Sequence, residues 1–284
     1  MRLLHPIGLP VVLSVLFLVH AACSSLQATR PVYDNAGAED GVLRYTYAFT
    51  PADSAYLRSF AREYDLRERV WGAETELEAV YRISSWAHGL WRHHRSNAPS
   101  ANDPAAILEA VKKGERFRCV EYARVIHGAL SSLGLQSRIV SLYRASPEST
   151  TKSHVVVEAY LPEAGTWVFV DGQWNAIPVL RGEPLNAVEL QRALGDRSAE
   201  LSFYGQGPMM RYQRWIDDYL VYLSFNPDSR VAITRFRSKN IMLVPENLPV
   251  PHYVTAWHAE RDYRLEKSTK VVRNTAAFYA PPED

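Results

Sequence analysis

The chain has 284 residues, a formal net charge of +1 and 47% hydrophobic residues. This composition is that of a folded protein with a sizeable core, and it excludes a disordered chain and a protein built mainly of membrane-spanning segments. A charge so close to zero also argues against nucleic acid as a partner, so we expect none.

The N-terminus has the pattern of an export signal. Arg2 begins a short basic stretch, an almost unbroken apolar run extends from Leu9 to Val19, and two small residues follow at Ala21 and Ala22. A run of this length is too short to span a bilayer by itself. We therefore predict a signal peptide over residues 1–22.

Cys23 directly follows the two alanines, an arrangement that resembles the lipobox of bacterial lipoproteins, in which cleavage occurs before a cysteine that then carries lipid. His20 stands where the lipobox usually has leucine, so cleavage without lipid is the alternative. Lipidation would anchor the protein to the membrane of the bacterial cell envelope, on the periplasmic or another extracytoplasmic face. Residues 23–41 are polar and without periodicity, which predicts a tether, and residues 42–284 are predicted to form one domain.

Three helices are predicted before residue 115. Thr50-Pro51 is a cap residue followed by a proline, and this pair predicts the start of the first helix. The apolar spacing from about Glu74 to His94 predicts the second helix. Asp103-Pro104 repeats the cap pattern and begins the third, which ends at Gly114.

A fourth helix is predicted to begin at Cys119. One apolar stripe runs along it at helical spacing, and Gly134 occupies the position of a left-handed C-terminal cap. The stripe consists of Cys119, Ala123, Ile126, Leu130 and Leu133. A thiol at the N-terminus of a half-buried helix meets the positive end of the helix dipole, which favours thiolate, and Arg116 and Arg118 act in the same direction. The alternative is a small, inert core cysteine.

The cysteine count bears on this choice. The chain has two cysteines, and lipidation of Cys23 would leave Cys119 as the one thiol, with no partner for an intramolecular disulfide. A lone thiol in an exported protein favours a reactive role over inert packing.

After Gly134 the pattern changes from helical to alternating. Segments 137–144, 154–161 and 166–171 are rich in β-branched and aromatic residues and predict strands, with Pro162–Gly165 as a four-residue hairpin loop. Asn186 and Glu189 form a capping box that predicts a short helix to Leu194. Beyond Trp215 we expect a last helix or strand and a C-terminal β extension.

The hairpin loop places two polar residues together. With a four-residue loop, paired residue numbers in the two strands sum to about 325 or 327. His154 and Asp171 then point to the same face as direct or diagonal neighbours. If that face packs against the start of the Cys119 helix, thiol, imidazole and carboxylate line up as nucleophile, base and orienting group.

These residues resemble the core of the transglutaminase-like superfamily, a branch of the papain-like cysteine enzymes. The resemblance rests on residues 114–122 around the cysteine, Leu133-Gly134-Leu135 closing its helix, Ser153-His154-Val155, and the run 167–171 that ends in Asp171. It covers about residues 79–194. The implied fold class is α+β, with a nucleophile helix packed on an antiparallel β-sheet.

The resemblance implies roles for particular residues. Cys119 would be the thiolate nucleophile, His154 the general base and later acid, and Asp171 the residue that fixes the imidazole tautomer. The backbone N–H of Cys119 would help to hold the oxyanion, and Trp86 and Trp91 are candidates for a second donor, although tryptophans on a helix stripe more often belong to the core. Calcium sites and β-sandwich domains of the large animal transglutaminases have no counterpart here, which argues against cross-linking.

Other polar residues have simpler interpretations. His88, His93 and His94 do not complete a zinc site, because a helix would point His88 away from the other two. We therefore expect neither a metal nor a cofactor. Gln173 and Trp174 follow Asp171 and are candidates for lining the cleft.

The sequence thus predicts an envelope-anchored cysteine hydrolase or acyltransferase that acts on peptide or protein amides through a thioester. The alternative is a catalytically inactive transglutaminase-like domain that serves as a binding or assembly module.

Overall fold

The computed structural model describes residues 30–34, 45–233 and 235–282. The predicted signal peptide, Cys23 and most of the predicted tether lie outside the described residues. No helix among the described residues combines the length and the apolarity needed to cross a bilayer.

Residues 31–34, which the sequence assigns to the tether, pack against the folded body. Tyr33 is 6% exposed, and its hydroxyl donates to the carbonyls of Leu220 and Val221 at 3.1 and 2.9 Å. The backbone N–H of Val32 donates to Asn247 at 2.9 Å. These four residues therefore belong to the folded body, because a buried aromatic ring anchors them there.

Within the described residues, helices and strands follow one another from residue 48 to residue 278. The helices are α1 (Ala55–Glu63), α2 (Leu66–Arg69), α3 (Glu76–Leu90), α4 (Pro104–Lys112), α5 (Cys119–Ser132), α6 (Ala187–Gly195), α7 (Met210–Ile216), α8 (Ala256–Glu260), α9 (Leu265–Ser268) and α10 (Thr275–Phe278). The strands are β1 (Ala48–Phe49), β2 (Ser137–Tyr143), β3 (Ser153–Leu161), β4 (Thr166–Val170), β5 (Pro178–Leu180), β6 (Glu183–Pro184), β7 (Leu201–Phe203), β8 (Tyr222–Phe225), β9 (Asp228–Ser229), β10 (Asn240–Leu243) and β11 (Thr269–Val272).

A six-stranded sheet forms the centre of the fold, in the order β11-β10-β8-β2-β3-β4. The pairs β8–β2, β2–β3 and β3–β4 are antiparallel, as predicted, whereas β10 and β11 pair in parallel. Two short helices separate β10 from β11, and such a crossover is what a parallel pair requires. The prediction of an antiparallel sheet is therefore correct at the centre and wrong at this edge.

The two faces of the sheet are covered by different elements. Val157, Val168 and Val170 point to one side, where α5 lies with α1, α3 and α4 packed around it. Val156 and Phe169 point to the other side, toward α6 and α7. Helices cover both faces of this mainly antiparallel sheet, which is the α+β class that the sequence predicts.

Helix α5 is more deeply buried than its single apolar stripe predicts. Beyond its first turn it is buried on nearly every side, because three helices surround it and the sheet lies beneath it. Gly134 has φ +83° and adopts the predicted left-handed cap. The helix begins at Cys119, as predicted.

Two predicted helix ends need correction. Ser54, not Thr50, caps α1, and the Thr50 hydroxyl instead accepts a hydrogen bond from the N–H of Val231 at 2.8 Å. Helix α3 ends at Leu90 rather than near residue 94, because Trp91 is extended and its carbonyl accepts a buried bond from the Tyr122 hydroxyl at 2.6 Å.

Candidate active site

The β3–β4 hairpin has the predicted register. Val157 pairs with Val170 and Leu161 with Thr166, so that paired numbers sum to 327. His154 therefore lies beyond the last rung of the ladder, on the same face as the residue that follows Val170, which is Asp171. The predicted adjacency of His154 and Asp171 is confirmed.

A short hydrogen bond joins these two side chains. The Nε2–H of His154 donates to Oδ2 of Asp171 at 2.7 Å, and the side chains are 2% and 0% exposed. Because Nε2 is engaged by the carboxylate, Nδ1 is the ring nitrogen left for another partner. The carboxylate thus fixes both the orientation and the tautomer of the imidazole.

Cys119 lies beside this imidazole. Burial alone would lower the pKa of His154, but the charge and hydrogen bond of Asp171, together with the interaction with the Cys119 side chain, raise it to about 10. Cys119 is itself half-buried and is a free thiol. The side chains of Cys119 and Asp171 thus both interact with the His154 imidazole.

The route by which the thiol reaches the imidazole differs from the prediction. The face of the hairpin that bears His154 packs against α6 and α7, whereas α5 packs along the opposite face. Cys119 is the first residue of α5, and it is from there that it interacts with His154.

The first turn of α5 is held by a buried carboxylate. Glu121 has no exposed surface, and it accepts bonds from the backbone N–H of Arg118 at 3.1 Å and from the guanidinium groups of Arg118 and Arg124 at 3.0 and 3.1 Å. The charge of Arg118 is thus paired with Glu121 as well as placed near the thiol. Among the described residues, the backbone N–H of Cys119 donates to no hydrogen-bond acceptor, as is normal for the first residue of a helix.

The loop after β4 holds the other oxygen of the Asp171 carboxylate. Oδ1 accepts the backbone N–H groups of Gln173 and Trp174 at 3.0 and 3.3 Å, and the backbone of Asp171 pairs with Ala176 on both sides of the loop. Gly172 lies so close to α5 that an added Cβ would stand 2.4 Å from the Cδ1 atom of Ile126. A side chain at position 172 would therefore push the loop away from the helix.

Aromatic residues beyond residue 200 complete the site, and the sequence analysis assigned them no role. The hydroxyl of Tyr212 donates to Oδ2 of Asp171 at 3.0 Å. The ring of Trp215 lies edge-on to the His154 ring at 4.8 Å, and Tyr219 lies 6.1 Å from it. These three residues have the spacing i, i+3 and i+7 of one helix face, which is the signal that could have indicated them.

The cleft candidates Gln173 and Trp174 have different surroundings. Both are half-buried, and both backbone N–H groups bond Asp171. The Trp174 ring packs against Tyr212 and Trp215 at 5.4 and 5.3 Å. Trp174 thus extends the aromatic wall around His154, whereas Gln173 contributes its backbone.

The two tryptophan candidates for the oxyanion site lie in different places. Trp91 stacks on Tyr122 at 4.1 Å and meets Phe117 at 6.3 Å, so it lies beside the residues that flank Cys119. Its indole N–H is buried and has no acceptor among the described residues. Trp86 instead packs against Tyr64, which follows α1, and against Arg69 on α2.

The three neighbouring histidines are dispersed. His88 bonds the carbonyl of Gly172 through Nδ1 at 3.1 Å, and His94 Nδ1 accepts the N–H of Asn97 at 3.1 Å. Burial, followed by the charges of His154 and Arg95, lowers the pKa of His93, which places His93 near the site. The part of the chain that the structure describes contains no group of three or more His, Cys, Asp or Glu residues arranged to hold a metal.

Residues 64–172 match the family model of the transglutaminase-like superfamily. The chain therefore carries a transglutaminase-like domain, and this family suggests a hydrolase or a transamidase. Tyr212, Trp215 and Tyr219 lie outside the matched residues.

The similar solved structures are distant. A candidate cysteine protease from Cytophaga hutchinsonii is 15% identical with a TM-score of 0.34, over 55% of this chain and 50% of that one. A TGase is 15% identical with a TM-score of 0.32, over 41% and 31%. Legionella pneumophila LapG is 15% identical with a TM-score of 0.28, over 59% and 95%. This chain thus covers half or less of the first two, and a search of curated proteins finds no match.

Proposed function

We propose that this protein is a thiol hydrolase or acyltransferase that cleaves amide bonds through a thioester on Cys119. The observation that carries the proposal is the buried 2.7 Å bond between His154 and Asp171, with Cys119 beside the same imidazole. Nucleophilic thiols need an adjacent base that a third group orients. The transglutaminase-like match supports the same chemistry.

The proposed reaction has two halves. In the first, His154 accepts the thiol proton at Nδ1, the sulfur attacks the amide carbonyl, and the imidazolium returns the proton to the departing amine nitrogen. In the second, His154 takes a proton from water or from an amine as that nucleophile attacks the thioester, and then returns it to the sulfur. Hydrolysis and transamidation therefore share the first half and differ in the acceptor.

The oxyanion in each half needs two donors. The backbone N–H of Cys119 is one, because it points from the start of α5 and is not used by another acceptor among the described residues. We assign the second to Trp91 rather than Trp86, because the Trp91 ring stacks on Tyr122 near the start of α5, whereas Trp86 packs against Arg69. The indole N–H of Trp174 is likewise buried without an acceptor among the described residues, so the choice of Trp91 depends on its place beside α5. A buried indole N–H without a partner is costly, and a substrate oxygen would satisfy it.

A peptide or protein is the proposed substrate, and the bacterial envelope is the proposed location. The apolar run before Ala21-Ala22-Cys23 supports export followed by lipidation of Cys23. If the lipid forms, wild-type protein should partition into the membrane fraction and Cys23→Ala should leave it. An intact mass showing a mature N-terminus at another residue would contradict this assignment.

Thiol reactivity tests the central proposal without knowledge of the substrate. In a Cys23→Ser background, Cys119 is the one cysteine of the chain, so the rate of alkylation by iodoacetamide reports on it alone. His154→Ala should slow alkylation at pH 6 to 7 by roughly tenfold or more, because an ordinary thiol with a pKa near about 8.5 is mostly protonated there.

His252→Ala is the matched control, because the His252 side chain is exposed and lies outside the site. It should leave the alkylation rate unchanged. A thiol that reacts only above about pH 8, and equally in wild type and His154→Ala, would contradict the proposal and favour a catalytically inactive binding domain.

A further inference from the structure

Tyr212 and His154 bond the same oxygen of Asp171. The imidazole Nε2 lies 2.7 Å from Oδ2 and the tyrosine hydroxyl 3.0 Å from it. Tyr212 is 1% exposed, and Asp171 has no exposed surface. No water is therefore needed to explain how this carboxylate oxygen is satisfied, since two protein donors converge on it.

The orientation of Asp171 does not depend on Tyr212. Oδ1 is held by the backbone N–H groups of Gln173 and Trp174, and the loop is closed by two backbone bonds between Asp171 and Ala176. These contacts fix the plane of the carboxylate through the other oxygen. What Tyr212 adds is therefore a second donor to the atom that holds the imidazole.

Tyr212 can act only as a donor in this position. Burial, together with the charge and hydrogen bond of Asp171, raises the pKa of the Tyr212 phenol well above its ordinary value. The hydroxyl thus keeps its proton near neutral pH and donates it to the carboxylate. Its ring is held by Phe203 and Trp174 at 5.3 and 5.4 Å, which leaves the hydroxyl little freedom to turn away.

We propose that Tyr212 is a positioning residue that sets how tightly Asp171 holds a protonated His154, by sharing the negative charge of Oδ2. This inference rests on the proposed function, since it concerns the same imidazole. If Oδ2 of Asp171 bonded the imidazolium alone, it would strongly favour the protonated form of His154. His154 would then give up its proton less readily and would be a slower base. By taking part of that charge, Tyr212 leaves His154 a more readily deprotonated group.

Other groups also face His154 and set the background of this effect. They are Cys119 at the start of α5, Asp171 after β4, Tyr219 after α7 and His93 from the segment after α3. Arg95 acts on His93 and Tyr219, and Tyr122 on α5 acts on Asp171. Oδ2 of Asp171 bonds the side chains of His154 and Tyr212. Removing the Tyr212 hydroxyl therefore changes one interaction at that oxygen.

The test is an NMR titration of His154 in a Cys119→Ala background, in which the sulfur no longer contributes to holding the imidazolium. His154 is assigned by the signal that His154→Ala removes. Tyr212→Phe should move the titration midpoint to higher pH by roughly half a unit or more, because Oδ2 then serves the imidazolium alone. Tyr222→Phe is the matched control: it also removes a buried hydroxyl, one that donates to the carbonyl of Pro249 at 3.1 Å, and it should leave the midpoint unchanged.

An unchanged or lowered midpoint in folded Tyr212→Phe protein overturns the proposal. If Tyr212→Phe does not fold, site-specific replacement of Tyr212 by a difluorotyrosine keeps the ring and strengthens the donor. The midpoint should then fall, and an unchanged or raised midpoint overturns the proposal equally. Because the titration uses no substrate and no thiol, its outcome is independent of the alkylation experiment, in which failure of the proposed function would appear.

Discussion

Arg138 on β2 lies directly opposite Glu158 on β3, and both side chains are without exposed surface. The guanidinium bonds the carboxylate at 2.6 Å and lies over the rings of Trp167 and Phe225 at 4.3 and 4.0 Å. This pair lies on the same face of the sheet as His154, because Glu158 and His154 both occupy even-numbered positions of β3. It ties that face to residues from both ends of the domain, since Tyr47 and the Phe278 carbonyl also accept from Arg138.

We expect Glu158→Gln to be among the most damaging single substitutions in the chain. It leaves a buried guanidinium without its counter-charge, and removing one member of a buried pair costs about 3–5 kcal/mol. Urea unfolding measures the loss, with Glu200→Gln, which breaks an exposed pair with Arg181, as a near-neutral control. The double variant Arg138→Met/Glu158→Leu should recover only part of the stability, because the Phe278 carbonyl and the Ala187 N–H also lose their partners. Equal or greater loss in the double variant would contradict this account.

His127 should make the protein less stable in mild acid. It is buried, with Nδ1 bonded to the Ser137 hydroxyl at 2.8 Å and Nε2 to the Ser229 carbonyl at 2.9 Å, and burial lowers its pKa to about 4. Between the unfolded value near pH 6.5 and pH 4, the unfolded chain binds a proton that the folded chain does not. The unfolding free energy should therefore fall as the pH drops through this window, by about 3 kcal/mol from this group.

The comparison of wild type with His127→Gln at pH 7 and pH 4 isolates the contribution of His127. The variant should be less stable at pH 7 and should show a smaller loss on acidification. If both proteins lose the same free energy between the two pH values, His127 is not the group responsible.

The three polar residues of the site should act as one unit. Once a substrate is known, Cys119→Ala and His154→Ala should each abolish turnover, while Asp171→Ala should retain a small residue of activity, because it removes the orienting group and not the base. The double variant His154→Ala/Asp171→Ala should be no slower than His154→Ala. Losses that multiply in the double variant would indicate independent roles.

Trp91→Phe should lower turnover by roughly a hundredfold, the usual effect of removing one oxyanion donor. Phenylalanine keeps an aromatic ring against Tyr122 but removes the indole N–H together with part of the ring volume, and alkylation of Cys119, which needs no oxyanion donor, should continue at the wild-type rate. Trp86→Phe is the matched control, since that ring packs against Arg69 on α2. Equal effects of the two substitutions on turnover would contradict the assignment of Trp91 as the second oxyanion donor.

The sequence predicts the geometry of this site where the relation between residues is local. A four-residue hairpin loop fixes the parity of pairing, and parity alone puts His154 and Asp171 on one face, as the structure confirms. The cap at Asp103, the start of α5 and the left-handed Gly134 follow likewise from residues adjacent in the chain.

Relations between distant segments could not be predicted in the same way. Tyr212 lies 41 residues from the carboxylate it bonds, and nothing in the spacing of α7 says which face of the sheet it covers. The parallel pairing of β10 with β11, and the packing of Tyr33 beneath Leu220, also depend on tertiary contacts rather than on local pattern. At Thr50 the capping pattern is present in the sequence but a tertiary contact replaces it, because the hydroxyl accepts a bond from Val231 instead of capping a helix.

The position of β8 has a consequence for a chain that is still being made. Strand β2 pairs with β3 on one side and with β8 on the other, yet β8 follows α7 and is synthesised long after β3 and β4. Until the ribosome has added these later segments, β2 keeps an open edge, Arg138 lacks the cover of Phe225, and Oδ2 of Asp171 lacks Tyr212. A growing chain therefore carries Cys119 well before it carries the surroundings of His154, so the site can be completed only after these later segments have been added, whatever bond it then cleaves.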